Sequence, residues 1–225
     1  MKYPGGKGKC YQRLINLMPP HSTYIETHLG GGAVLRHKRP ADVNIGIDVD
    51  AAVIDTWRKL NPSVCTLLHA DAVAFLRQYA VSREVLVYAD PPYLPECRRN
   101  PKIYRHEYSR DDHLRLLDVL VALPCLVMVS GYDSNLYQSQ LLGWRKETFP
   151  SKTHVDVREE CVWMNFPPPT ALHDPSFLGD TFRDRQTIQR RHDRLVEKFD
   201  RMDGVERGHV LEILNSRFGG KVATL

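Results

Sequence analysis

The sequence has no pair of cysteines at metal-ligating or redox spacing. Its five cysteines, Cys10, Cys65, Cys97, Cys125 and Cys161, stand singly, and their number is odd. A zinc site and a disulfide framework are therefore not expected, and a reducing cytosol is the natural setting. Long hydrophobic runs are also missing. The most apolar stretch, Val119 to Val129, is too short to span a bilayer and carries Pro124. The opening residues MKYPGGKGKC are too polar and glycine-rich for a signal peptide. A cytoplasmic protein with no membrane partner is expected. Neither sign of charge dominates: Lys and Arg number 31 against 27 Asp and Glu, a net charge of +4. That balance is compatible with a polyanionic partner without being diagnostic of one. There is no Gly-x-x-x-x-Gly-Lys-Ser phosphate loop, and the glycine spacing is not Gly-x-Gly-x-x-Gly. The first absence rules out a P-loop nucleotidase, and the second disfavours a nicotinamide dehydrogenase. Internal repeats and low-complexity segments are absent as well.

What is present is an alternation. The 225 residues, 42% hydrophobic and 26% charged, suit one soluble domain with a small appendage. Strands are predicted at 22–27, 43–48, 64–69, 84–89 and 125–131. Helical spacing follows each of them, at 33–38, 50–60, 71–79, 109–123 and 133–143. Ser109 stands as an N-cap with Asp111 and Asp112 in the first turn behind it. Strands and helices at this spacing imply right-handed βαβ units in a mostly parallel, doubly wound sheet. GWRKETFP and VREECVWMNF then read as an antiparallel pair closing its edge. After PPPTALHDP the chain turns charged and helical over 180–218, with Ile188, Leu195 and Met202 at heptad spacing and Phe199 between. Such a helix could dock by its apolar stripe, contact a nucleic acid or pair two copies.

In an open parallel sheet, ligands bind beyond the carboxyl ends of the strands. Those ends carry Glu26, Asp48, Asp71 and Asp90, the last followed by Pro91, Pro92 and Tyr93. Four acids at successive strand ends would repel one another unless something cationic or rich in donors lies among them. Gly30, Gly31 and Gly32 after the first strand allow a backbone to approach a ligand closely, and equally serve packing. Asp48 stands where an acid binds ribose hydroxyls, and also where it could cap a helix. Asp71 has the same two readings. The Tyr-Pro-Gly-Gly-Lys stretch ahead of the first strand offers Tyr3 and Lys7 on a turn, with Lys7 a cation for a carboxylate.

YPGGK, YIETHLGGGAV, IGID, VYADPPY, VSGYDSNLY and REECVWMN, in this order, resemble the Dam-like DNA adenine-N6 methyltransferases, over roughly residues 1–167. The resemblance implies a Rossmann-like S-adenosylmethionine-dependent methyltransferase fold, to which the charged helical stretch over 180–218 adds a C-terminal helical extension. It implies S-adenosylmethionine as methyl donor, no metal, and a flipped adenine in double-stranded DNA as acceptor. By resemblance Tyr3, Lys7, Glu26, Gly30, Gly31, Gly32 and Asp48 fall in the donor site, and Asp90, Pro91, Pro92 and Tyr93 on the catalytic motif; Asp71 and Asp90, as strand-end acids, are added to the donor-site candidates. One departure is Thr27-His28, where relatives more often carry a proline and an aromatic. Protein-glutamine methyltransferases of this fold would carry Asn where Asp90 stands.

The chemistry accounts for the residue types. An adenine amine is a poor nucleophile because its lone pair is delocalised into the ring. A carboxylate on one N–H and a carbonyl on the other, here Asp90 and Pro91, would draw the nitrogen towards a tetrahedral geometry. Adjacent prolines fix the backbone so that this acceptor is aimed in advance. Tyr93 offers a ring for the extruded base to stack on, worth about 1–3 kcal/mol.

Between Asp71 and Asp90 there is room for only one helix and one strand, so the usual inserted recognition domain has no place. A short or relaxed target sequence is expected. The segment after the catalytic motif, with Arg98, Arg99, Lys102, Tyr104, Arg105 and Tyr108, is the expected DNA-contacting loop. The division is a catalytic domain over 1–169, holding that loop at 94–112, and a helical extension over 170–225 through which a homodimer could form. An RNA adenine methyltransferase is the nearest alternative, and a non-catalytic DNA-binding module a weaker one. A solitary enzyme of a bacterial or phage-infected cell, prophage-borne as many relatives are, fits the pattern best.

Overall fold

The computed structural model describes residues 5–8, 10–60, 65–98, 103–152 and 157–219. Its centre is a seven-stranded sheet in the order β3-β2-β1-β4-β5-β7-β6. The parallel strands are β1 (Thr23–Glu26), β2 (Val43–Asp48), β3 (Thr66–His69), β4 (Val85–Ala89) and β5 (Leu126–Gly131). β6 (Arg145–Lys152) and β7 (Val157–Met164) are antiparallel to each other, and β7 also pairs antiparallel with β5. This is the mixed, doubly wound α/β architecture the alternation predicts, closed by the antiparallel hairpin. The order reverses between β1 and β4, which makes that junction the switch point where such sheets bind ligands.

The central strands are buried on both faces, and their near-continuous apolar sequence follows from that. Along β4 the side chains alternate. Val85, Val87 and Ala89 join one core layer with α4 (Ala72–Gln78), α5 (Arg110–Ala122) and α6 (Asn135–Gln140). Leu86 and Tyr88 join the other, with α1 (Tyr11–Ile15), α2 (Ala33–His37) and α3 (Ala51–Leu60). Ser109 accepts from the Asp112 amide while the Asp112 side chain accepts from Ser109 N, a reciprocal cap that starts α5. The short helix α1 was not legible in the sequence. It is one and a half turns with no side-chain cap, held by burying Leu14 and Ile15.

The predicted helical stretch 180–218 is two helices, α7 (Phe182–Asp200) and α8 (Gly204–Phe218). Asp203 breaks it by capping α8, accepting from Val205 N and Glu206 N at 2.8 and 2.9 Å. Neither helix has a buried residue, and Leu195, Leu211 and Phe218 are exposed. No helix among the described residues is long and apolar enough to cross a membrane.

Candidate active site

The carboxyl ends of β1, β2 and β4 open into one cleft, continuous with solvent. Its wall carries Glu26, the turn Gly30–Gly32, Asp48, Asp90, Pro92 and Lys7. Three of the four predicted strand-end acids are thus brought together. Asp71 is the exception. It caps α4 by accepting from Ala74 N at 2.8 Å, and only its neighbour Ala72 reaches the cleft.

The glycine turn is tied on two sides. Asp48 accepts from Gly30 N through Oδ2 and from Asp50 N through Oδ1, both at 2.8 Å. Trp57 Nε1 donates to the Gly30 carbonyl at 3.0 Å. Gly30 and Gly32 have φ of 43° and 51°, the left-handed region that glycine enters without cost. A Cβ on Gly32 would lie 2.1 Å from Trp57 Cζ2, so the ring fills the space a side chain would need. The turn therefore serves packing and ligand approach together. Glu26 accepts from Tyr24 Oη at 2.8 Å and from Leu35 N at 3.1 Å. Burial pushes its pKa up to about 8 against these hydrogen bonds. Burial also raises the Asp48 carboxyl, opposed by its two backbone donors.

Lys7 is the cation among the acids. Its Nζ lies 2.6 and 2.7 Å from the two oxygens of Asp90 and 3.8 Å from Glu160 Oε2. Burial works against the charge on Lys7, yet Asp90 and Glu160 together hold its pKa well above the ordinary lysine value. Cys10 Sγ contacts Glu160 at 3.8 Å, behind this pair. Tyr88 Oη and Ser130 Oγ, 2.9 Å apart, join the ends of β4 and β5 beside it. Pro92 faces the cleft, whereas Pro91 and Tyr93 are buried and do not line it. The Tyr93 ring packs edge-on against Tyr132 at 4.6 Å, with Lys7 Nζ 4.9 Å from its centre.

The aromatic wall comes instead from the loop that follows Tyr93: Tyr104, His106 and Tyr108 all line the cleft. Tyr108 Oη and His28 Nε2 are 2.8 Å apart, and His28 Nδ1 lies 2.9 Å from Thr27 Oγ1. The departure at Thr27-His28 is thereby an anchor for this loop. Burial holds the His28 pKa down at about 3, so the imidazole is neutral. Arg105 donates from Nη1 to both oxygens of Asp50 at 2.9 Å. Arg98 is 4% exposed at its side chain and pairs with Glu107. Tyr3, Arg99 and Lys102 lie outside the described residues.

Sequence reading did not single out Glu160, Cys10 or His106. Glu160 lies in the REECVWMN stretch, but its approach to Lys7 joins β7 to the N-terminal segment. No local spacing reports such a contact. Among the described residues, no group of three or more His, Cys, Asp or Glu side chains could hold a metal ion.

No family model and no curated protein matches the chain. Solved structures with a related arrangement include the 23S rRNA methyltransferase ErmE, at 9% identity and TM-score 0.47, covering 80% of this chain and 82% of that one. TrmK of M. capricolum, in complex with S-adenosylhomocysteine, matches at 6% identity and TM-score 0.46, covering 91% and 93%. The magnesium protoporphyrin IX methyltransferase of Synechocystis PCC 6803, with bound S-adenosylmethionine, matches at 10% identity and TM-score 0.43, covering 68% and 79%. Likeness at this level does not reach the substrate, and the chemistry has to be argued from the cleft itself.

Proposed function

We propose that the chain is an S-adenosylmethionine-dependent DNA adenine-N6 methyltransferase. The observation that carries this reading is the meeting, in one cleft at the switch point, of Asp90 and Pro92 at the end of β4 with the glycine turn and Asp48. The residues suit the donor: acids for its cationic groups and diol, and backbone amides of the glycine turn for its carboxylate. Asp48 uses one acceptor site on each oxygen for Gly30 and Asp50, leaving lone pairs for hydroxyls. The donor supplies an activated methyl group. Asp90 accepts one N–H of the target amine and leaves the nitrogen lone pair free to attack. The N–C bond forms as the S–C bond breaks, and the amine proton leaves by way of Asp90 to water. No covalent enzyme intermediate is needed.

A base buried in a duplex is out of reach, so the target must be flipped, at a cost of a few kcal/mol. Tyr104 and Tyr108 on the cleft wall support a stacking role more directly than Tyr93, whose ring is packed internally. One helix and one strand fill the interval from Asp71 to Asp90, which favours a short or relaxed target sequence. Two copies would associate through the exposed apolar side chains of α7 and α8, and sedimentation equilibrium tests that.

The test of the activity is incubation with labelled donor and either unmethylated duplex DNA or structured RNA, followed by base analysis and sequencing. N6-methyladenine in DNA is expected from the parent chain and none from Asp90→Ala, with DNA binding kept. A mark confined to RNA would transfer the reading to RNA. Inactivity of the parent on both polymers would overturn it, as would DNA binding with no donor-dependent product.

A further inference from the structure

The Lys7 ammonium has two carboxylates within reach, and the chemistry proposed above uses only one of them. Asp90 holds it at 2.6 and 2.7 Å, so both carboxylate oxygens that a target amine would use already face a cation. Glu160 lies 3.8 Å from the same nitrogen and does not line the cleft. Its side chain is only 10% exposed, and that of Lys7 4%. Glu160 comes from β7, whereas Asp90 follows β4, so the two acids belong to separate strands converging on one lysine.

We infer that Glu160 is a positioning residue acting through Lys7: it receives the ammonium when the target amine takes Lys7's place on Asp90. This role rests on the reading of Asp90 as the amine acceptor. A buried ammonium cannot simply leave its partner, because an uncompensated charge in the interior is strongly disfavoured. With Glu160 at hand, Lys7 exchanges one carboxylate for another and remains paired throughout. Closing the gap to an ordinary charge-assisted hydrogen bond needs a movement of only about 1 Å. The Tyr93 ring face, 4.9 Å from Nζ, keeps the ammonium accompanied along the way. Against its burial, the two acids keep Lys7 protonated, so it acts as a movable cation and not as a base.

Glu160→Gln preserves size and removes the charge. The expected result is a fall in kcat of about tenfold or more, with KM for donor and nucleic acid within about twofold of the parent, since the contacts that hold donor and polymer away from Asp90 are untouched. Glu160→Asp is expected to recover part of the loss. A crystal structure of the parent chain with S-adenosylhomocysteine and an adenine-bearing oligonucleotide gives a readout apart from activity. It should place Lys7 Nζ in hydrogen-bond contact with Glu160 and off at least one Asp90 oxygen. Parental kcat in Glu160→Gln, or Lys7 still spanning both Asp90 oxygens with the amine bound, would overturn the role of Glu160 alone. Lack of methyl transfer by the parent would instead remove the reading of the site on which the role rests.

Discussion

Arg98 and Glu107 form a two-pronged ion pair, Nη2 to Oε2 at 2.5 Å and Nη1 to Oε1 at 3.3 Å. Glu107 Oε1 also accepts the Ile103 and Tyr104 amides at 2.6 and 2.7 Å. Sequence composition alone would assign Arg98 to a nucleic-acid phosphate. Here it braces the loop whose next residues, Tyr104, His106 and Tyr108, form the cleft wall.

Replacing Arg98 is therefore expected to act on the cleft. Arg98→Ala should weaken donor affinity by about tenfold, equivalent to about 1.4 kcal/mol. The slope of log affinity for DNA against log salt should be unchanged, because no phosphate contact is lost. Titration calorimetry with donor, and DNA binding at several salt concentrations, check the two halves. A flattened slope with intact donor binding would return Arg98 to the DNA.

Gly32→Ala should be among the costliest single-methyl changes in the chain. The residue has φ of 51°, and the added carbon would meet the Trp57 ring at 2.1 Å. Left-handed strain alone costs about 1–3 kcal/mol, and moving a buried indole adds to it. Thermal denaturation should show a clear loss of stability, together with weaker donor binding. A variant as stable as the parent would mean that the turn can open away from α3.

Asp48→Asn separates the structural from the binding role of that acid. The amide oxygen can replace only one of the two acceptors now serving Gly30 N and Asp50 N. One buried N–H is left wanting, at about 1–3 kcal/mol. On the proposed reading, in which Asp48 holds the donor's hydroxyls, donor KM should rise while kcat is largely spared. A fall in kcat at unchanged KM would contradict its assignment to donor binding.

Buried imidazoles set an acid limit. Burial holds His28 and His21 at about 3 and His113 at about 4, against an ordinary value near 6.5. Below that ordinary value the unfolded chain takes up protons that the folded chain refuses. Stability is thus fully present above pH 6.5 and is lost as pH falls towards 4 for His113 and towards 3 for His21 and His28. The slope is about 1.4 kcal/mol per pH unit for each such group. Glu26, raised to about 8, works in the opposite sense. The folded chain keeps a proton that the unfolded chain gives up, so its contribution declines between pH 4.5 and 8. Denaturant midpoints measured from pH 4 to 9 should pass through a maximum. His113→Gln should flatten the acid limb and Glu26→Gln the alkaline one.

Much of this architecture was legible beforehand. The alternation predicts the second strand at 43–48, and it is Val43–Asp48; the Ser109 cap begins α5 at the position its spacing predicts. Strand alternation, turn glycines and caps are local signals, carried by residues a few positions apart. The cluster of Glu26, Asp48 and Asp90 followed from the same logic, since parallel strands deliver their carboxyl ends to one edge. Asp71 shows the limit. Capping and ligand binding ask for the same residue type at the same place, and only the bond to Ala74 N reveals which task its side chain performs here.

By itself, then, the sequence determined the order of strands and helices, the edge at which the acids gather and the residue types available there. Tertiary structure alone decided that Arg98 turns inward to Glu107, that Tyr93 packs against Tyr132, and that Lys7 stands between Asp90 and Glu160. The reason is physical. Periodicity reports which side of an element is buried. The partner of a charge or a ring depends on distances between distant segments, which exist only once the chain has closed.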